Sequence, residues 1–249
     1  MTQKDSSVNN PRRRTLIAGG AAATLGVLIA PGLRLIEVAS AASEKGALTT
    51  ASSSVRWGLL IDTTLCSSDC TACVAACNKE NHLSGGTTAT DSQWVRKVEL
   101  KDLRGGRTAS LPMMCQHCAN PPCVDVCPTG ASMKRADGIV LVDRHICIGC
   151  RYCMMACPFK ARSFVHEPVS DQNPEVPRGQ GCVESCTLCV HRVDKGQIPA
   201  CAEACPTKAI TFGNLNDPQS EIMQRIRRNA TVGLRADLRL DAGVRYQGV

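Results

Sequence analysis

Cysteine dominates the chemistry available to this chain. There are 17 cysteines among 249 residues, and all but one fall into four groups of four. Cys66, Cys70, Cys73 and Cys77 form the first. Cys115, Cys118, Cys123 and Cys127 form the second, Cys147, Cys150, Cys153 and Cys157 the third, and Cys186, Cys189, Cys201 and Cys205 the fourth. Cys182 stands outside them. A cubane iron–sulfur cluster takes four thiolates. Four quartets therefore read as four clusters, and a row of clusters in one chain carries single electrons over distance.

Two other uses of cysteine compete with this one. Exported proteins often use many cysteines as a disulfide scaffold, and structural zinc also takes paired CxxC units. Disulfide frameworks rarely repeat a compressed CxxCxxCxxxC block, and zinc ribbons use two separated pairs. The run from Cys147 through Cys150, Cys153 and Cys157 to Pro158 has the full ferredoxin spacing. A c-type haem needs histidine directly after CxxC, but Cys189 is followed by Val190 and only then His191.

The elements that would position these sulfurs recur. Val55–Ile61 reads as a strand leading into the first block. Trp94–Leu100 and Thr108–Met114 read as a hairpin around Arg104-Gly105-Gly106-Arg107. Gly138–Val142, Ser163–His166 and Ala209–Phe212 read as short strands beside the later blocks. Each block is then one unit: strand, cysteine triad, short helix, fourth cysteine, turn. Three units close with Cys-Pro, at Pro128, Pro158 and Pro206. Proline stops the helix and turns the fourth thiolate away from its own triad, towards the cluster of a partner unit. Two units make one two-cluster lobe, and four units make two lobes.

Composition agrees with an interior filled by clusters. Aromatics are only 3% of the chain, too few to fill a core of this size in the usual way. The apo-protein should fold poorly, because metal bonds supply folding free energy. Net charge is +7, too mild to indicate nucleic acid. Arg151, Lys160 and Arg162 either offset the negative charge of clusters or belong to a solvated basic surface.

The N-terminus reads as an address. Arg13-Arg14-Thr15-Leu16-Ile17 fits a twin-arginine signal, followed by an uncharged stretch to Leu33 and a small-residue cleavage site at Ala39-Ser40-Ala41. An uncleaved anchor is the other reading. Either places the cysteine blocks in the periplasm, with clusters built in the cytoplasm before export. Residues 1–41 are thus expected to be a signal and 42–54 a linker. Residues 168–181 read as a surface connection. The tail, 217–249, should open with an amphipathic helix near Glu221–Arg228 and end in polar, irregular sequence lying along a partner.

The blocks resemble the four-cluster electron-transfer subunits of respiratory complexes, the beta subunits that accompany molybdopterin reductases and quinone-reactive membrane proteins. The resemblance covers most of Val55–Gly213 and rests on three motifs. These are the run from Cys115 to Pro128, the block from Cys147, and Cys186-Thr-Leu-Cys189 with Cys201-Ala-Glu-Ala-Cys205-Pro. It implies an α+β fold of two pseudo-symmetric bacterial-ferredoxin-like lobes, each holding two [4Fe-4S] clusters. One lobe would comprise residues 55–110 and 182–216, the other 111–167. The implied ligand sets are Cys66, Cys70, Cys73 and Cys205; Cys115, Cys118, Cys123 and Cys157; Cys147, Cys150, Cys153 and Cys127; and Cys186, Cys189, Cys201 and Cys77.

A narrower likeness rests on Arg56–Asp62 ahead of Cys66, on Val183–Arg192, and on Val244–Gly248. These segments resemble the periplasmic iron–sulfur subunits of the membrane complex tied to dissimilatory sulfite reductase. That likeness implies several partners: an integral quinone-interacting membrane subunit, a periplasmic multihaem cytochrome c, and further subunits of the complex. It implies no substrate site on this chain, and peripheral attachment to the inner membrane through partners. Two features depart from the family. Cys66 and Cys70 are separated by three residues, and Cys182 precedes Cys186 by the same interval. Either both extra-spaced cysteines are ligands or Cys182 is a spare thiol; the fourth block is complete without it.

His117 either donates to a cluster sulfur or is a plain surface histidine. Gly149 is expected to let backbone approach sulfur closely. Met113, Met114, Met154 and Met155 read as apolar packing. No phosphate-binding loop, nucleophilic triad or carboxylate pair is visible, so the chain reads as an electron-transfer subunit without its own catalysis.

Overall fold

The run Trp57–Asp62 folds as strand β1, with Leu59, Leu60 and Ile61 almost wholly buried. A strand apolar on both faces must be covered on both. Strand β8 (Ile210–Asn214) pairs with it antiparallel on one edge, and β10 (Val244–Gln247) pairs parallel on the other. Strand β9 (Thr231–Val232) completes the sheet in the order β8-β1-β10-β9.

Three antiparallel ribbons surround this sheet: β2 (Val95–Lys101) with β3 (Thr108–Met114), β4 (Ser132–Lys134) with β5 (Val140–Val142), and β6 (Arg162–Phe164) with β7 (Val183–Ser185). The β2–β3 hairpin lies where the alternating sequence predicts it. The computed structural model describes residues 51–103 and 105–249. The expected export signal and most of the expected 42–54 linker lie outside the described residues.

Helices are short because the cysteine blocks leave little room for them. They are α1 (Ala72–Glu80), α2 (Pro122–Asp125), α3 (Tyr152–Ala156), α4 (Val190–Val193), α5 (Ala200–Glu203) and α6 (Glu221–Arg228). Pro122 opens α2, where its missing N–H costs nothing. Helix α1 of the first block packs on α5 of the fourth, and α2 of the second block packs on α3 of the third. The described fold is α+β.

Helix α6 falls where its amphipathic pattern predicts. Ser220 caps it by accepting the Met223 N–H, Glu221 sits in its first turn, and Arg225, Arg227 and Arg228 sit in its last. Its Ile222 is fully buried over β8.

The end of the chain differs from expectation. Instead of irregular sequence, Val244–Gln247 form a strand, and residues 240–247 lie along the chain's own second block. Ala119 and Asn120 N–H groups donate to the carbonyls of Asp241 and Leu240, and Gly243 N–H donates to Gln116 O at 2.8 Å. Tyr246, fully buried, donates its hydroxyl to Pro112 O and accepts from Gln116 Nε2. The alternation Val244-Arg245-Tyr246-Gln247, buried at every second residue, is a half-buried strand pattern.

Candidate metal centres

The cysteines are the interior of this protein. Cys73, Cys77, Cys115, Cys118, Cys123, Cys153, Cys157, Cys186 and Cys201 all belong to one buried cluster of apolar side chains. All 17 thiols are unpaired, so no disulfide framework is present.

Two quartets line small, largely enclosed cavities. Cys77, Cys186, Cys189 and Cys201 line one, together with Asn81 and Trp94. Cys115, Cys118, Cys123 and Cys157 line the other, together with Gln116, Phe159 and Arg162. In each, three sulfurs come from one block and the fourth from another. The α1–α5 and α2–α3 contacts bring those blocks together. Among the described residues no three Cys, His, Asp or Glu side chains converge as a single ion requires. A four-iron cubane is larger than one ion and keeps its four thiolates further apart.

Polar atoms inside these cavities lack protein partners. Trp94 Nε1–H is buried in the first, and Arg162 Nε and Nη1 are buried in the second. Buried donors normally have acceptors. A sulfide-bearing group in each space would provide them, so the residues fit a cluster.

Burial sets the protonation of these sulfurs. It pushes the Cys115, Cys118 and Cys201 thiols up to about 12 and those of Cys77 and Cys186 well above their ordinary range. Neighbouring cysteines push in the same direction at Cys118, Cys201, Cys77 and Cys186. Iron binding here must displace protons.

The other two quartets lie nearer the surface. Cys73 is buried beside Cys66 and Cys70, which are half-buried. Cys153 is buried with Cys127 near it, Cys147 is half-buried and Cys150 is exposed. Cys205 is half-buried beyond the end of α5. The Cys205 and Cys127 environments match closely. Each sulfur lies 3.7 Å from the hydroxyl of a threonine two residues on, Thr207 or Thr129. Each accepts a backbone N–H, from Ala209 at 3.2 Å or Ser132 at 3.3 Å. Burial works against the thiolate at both positions, but these hydrogen bonds outweigh it and hold both sulfurs below the ordinary cysteine value.

The longer Cys66–Cys70 interval has a local explanation. Cys70 N–H turns back to Ser67 O. Lys97, reaching from β2, donates Nζ to the carbonyls of both Ser67 and Cys70. The extra residue is taken up in a pinned bulge. Cys182 lies elsewhere. Its thiol donates to Arg144 O at 3.3 Å, beside Cys147 of the third block, and it does not line the cavity of the fourth block.

Several residues part from their expected roles. His117 is not on the surface, being 2% exposed. Its Nδ1 accepts the Val140 N–H at 3.0 Å, which places the ring proton on Nε2, a donor with no protein acceptor. Burial, then the Arg162 charge, hold it neutral by lowering its pKa to about 3. Gly149 permits a close approach to backbone. With φ at +69°, a Cβ there would stand 2.3 Å from Gly181 O. Met114 is buried packing, whereas Met155 is 73% exposed. Arg151 and Lys160 are exposed; Arg162 is buried among cysteines. The sequence carried no signal separating these three cations. What decides it is Arg162's position at the start of β6, facing the second block.

Cysteine quartets assembled across repeats make this a ferredoxin-type iron–sulfur protein. Residues 107–215 match the 4Fe-4S dicluster domain. The chain is 41% identical to the Hdr-like menaquinol oxidoreductase iron-sulfur subunit 1 of Archaeoglobus fulgidus, over 94% of this chain and 97% of that one. It is 40% identical to Protein NrfC of Escherichia coli K12, over 79% and 82%. It is 38% identical to a subunit of the sulfite dehydrogenase of Allochromatium vinosum, over 68% and 73%. The chain belongs to this family of iron–sulfur subunits of oxidoreductase complexes. Among the described residues no helix is long and apolar enough to cross a membrane.

Proposed function

We propose that the chain is a periplasmic electron-transfer subunit carrying four [4Fe-4S] clusters, which links a quinone-interacting membrane subunit to another redox subunit in dissimilatory sulfur metabolism. When bound, such clusters supply reversible one-electron exchange. The observation that carries this reading is the crossed quartet, seen twice: three sulfurs of one block and one of another around a largely enclosed cavity. The cavity-lining sets support Cys77, Cys186, Cys189 and Cys201 as one ligand group and Cys115, Cys118, Cys123 and Cys157 as a second. The remaining ligand groups are Cys66, Cys70, Cys73 and Cys205, and Cys147, Cys150, Cys153 and Cys127. Each surface-lying quartet then flanks an enclosed one.

Within the family, the partner assignment rests on likeness. The Archaeoglobus relative covers nearly all of both chains and is named for menaquinol oxidation. This favours a quinol-linked membrane partner; the DsrO type of subunit, with a multihaem cytochrome c on the periplasmic side, rests on the resemblance carried by Arg56–Asp62, Val183–Arg192 and Val244–Gly248. The second reading, a beta subunit of a molybdopterin reductase, is favoured by the similarity to a subunit of the tetrathionate reductase of Salmonella typhimurium, 38% identical over 67% of this chain. In either case the substrate is handled by a partner.

Anaerobic purification with iron and acid-labile sulfide counts, followed by EPR during stepwise reduction, tests the reading. About sixteen irons and four titrating centres are expected. A zinc-loaded, colourless protein would make the chain a structural interaction module instead. Co-purification from native membranes, followed by addition of a reduced quinone analogue, separates the partner assignments. The quinol-linked reading expects reduction of the centres only when the membrane subunit is present.

A further inference from the structure

Three of the four blocks share a closing sequence, and one position in it differs in kind. The runs are Cys127-Pro-Thr-Gly-Ala-Ser132, Cys157-Pro-Phe-Lys-Ala-Arg162 and Cys205-Pro-Thr-Lys-Ala-Ile210. Their backbones agree: Gly130, Lys160 and Lys208 all have positive φ, at 71°, 50° and 51°. The fifth residue after cysteine is thus a matched position, filled by Ser132, Arg162 or Ile210. All three are buried.

Arg162 is 6% exposed, and its guanidinium points into cysteine sulfur from two blocks. Nη2 donates to Cys123 Sγ at 3.1 Å and to Ser132 Oγ at 2.7 Å, its own counterpart in the second block. It also reaches the sulfur of Cys153, and its charge acts on Cys115. Nε and Nη1 have no protein partner. No carboxylate is among the groups that hydrogen-bond it. A buried arginine hydrogen-bonded to a hydroxyl and sulfur, with two N–H groups left over, is costly unless anionic charge stands nearby.

We propose that Arg162 is a fixed positive charge shared by the cluster sites of the second and third blocks, and that it raises the reduction potential of both. This rests on the ligand reading above, in which Cys123 and Cys153 serve different clusters. Adding an electron makes a cluster more negative. A buried cation within hydrogen-bond reach stabilises that state more than the oxidised one, with little screening by water or salt. Its unpartnered N–H groups are placed to donate to sulfur, the other means by which proteins raise cluster potentials. In the fourth block the matched residue is Ile210, which brings neither charge nor donor. Arg162 therefore acts on one pair of centres and leaves the other pair alone. It is a positioning and tuning residue.

The test uses the full chain, loaded anaerobically, in EPR-monitored redox titrations of the wild type, Arg162→Gln and Arg162→Lys. Iron and sulfide counts are made on each. In R162Q the expected result is that two centres move to lower potential by at least tenfold in their reduction equilibrium, about 59 mV for one electron, while the other two stay in place. R162K keeps the charge but loses the planar fork, so the same two centres should fall by less. A fully loaded R162Q with unmoved potentials overturns the proposal. So does a shift confined to one centre or spread over all four. If R162Q does not retain iron, R162K carries the decision: a fall in the same two centres supports the proposal, and unmoved potentials overturn it. A wild type without four titrating centres would instead remove the ligand reading itself.

Discussion

The two enclosed cavities have the same construction and different linings. Each is walled by a triad from one block and a fourth cysteine from another. The polar groups that line the cavity of Cys77, Cys186, Cys189 and Cys201 are neutral, and the charges of Glu80 and Arg192 act on Cys189 with opposite signs. Asn81 Nδ2 lies 3.6 Å from the Cys77 sulfur, Leu188 N–H donates to Cys186, and Trp94 Nε1–H has no protein acceptor. Around Cys115, Cys118, Cys123 and Cys157 the corresponding role falls to a guanidinium. Repeats of one ancestral pattern thus keep the thiolates constant and vary what surrounds them. Equal ligands with unequal surroundings are how a protein gives chemically identical clusters unequal potentials.

The sharpest way to break the comparison is to remove a crossed ligand. Cys77→Ser and Cys157→Ser each take the fourth sulfur from one enclosed cavity, and each should cost a whole centre, about four irons of sixteen. Cys182→Ser should leave the count unchanged. If C77S instead lost the same centre as a substitution within Cys66, Cys70 and Cys73, the blocks would not exchange ligands. Next in size is removal of all iron by a chelator in mild denaturant. Both cavities should collapse together, with loss of cooperative unfolding. The interior has few aromatic side chains to take over, and metal binding is folding free energy. Circular dichroism and proteolysis read this directly.

Another substitution reads the tie between the first and fourth blocks by stability. Glu80 at the end of α1 accepts from His191 Nε2 at 2.8 Å and Arg192 Nη1 at 3.0 Å, tying the first block to the fourth. Burial works against its charge, but these partners hold its carboxyl below the ordinary value of 4.5. A carboxylate with a lowered folded pKa stabilises fully above the unfolded value and loses that contribution as pH falls through the folded one. Glu80→Gln should therefore destabilise by about 1–3 kcal/mol near neutrality. The difference from wild type should shrink below about pH 4.5. Denaturant midpoints at two pH values check both parts.

How much of this was readable beforehand depends on range. The quartets, the Cys-Pro stops, the β2–β3 hairpin and helix α6 are written in short spacings, and the chain folds accordingly. What escaped depends on contacts between distant segments. Val244–Gln247 looked polar because half its residues face water. Its role is set by pairing with β1, which lies some 180 positions away in sequence. Arg151, Lys160 and Arg162 are three cations within twelve residues, and nothing local marks the one that turns inward. His117 was legible only as a histidine between two ligands. Its fixed tautomer comes from Val140, a strand of another ribbon.

Trp94→Phe sharpens the contrast between the cavities. It removes one neutral donor and keeps most of the apolar volume. A neutral hydrogen bond is worth about 1 kcal/mol, so one centre should fall in potential by less than either centre affected in R162Q. If W94F matched R162Q, the guanidinium's charge would count for nothing beyond its N–H groups.

The smallest effect is also the cleanest test of repetition. Cys127 and Cys205 occupy matched turns, each 3.7 Å from a threonine hydroxyl two residues on. A thiolate bonded to iron can only accept, so the hydroxyl must donate to it. Thr129→Val and Thr207→Val remove that donor from two different centres, with little change of shape. At 3.7 Å to sulfur each bond is weak, and about 0.5 kcal/mol is the expected loss. The two variants should lower two different potentials by the same small amount, because each sulfur also accepts one backbone N–H from the same turn, from Ser132 at 3.3 Å or from Ala209 at 3.2 Å. Unequal shifts would mean that the turns are alike in backbone only. The difference between the two pairs of blocks would then reach beyond Arg162 into the surface-lying sites.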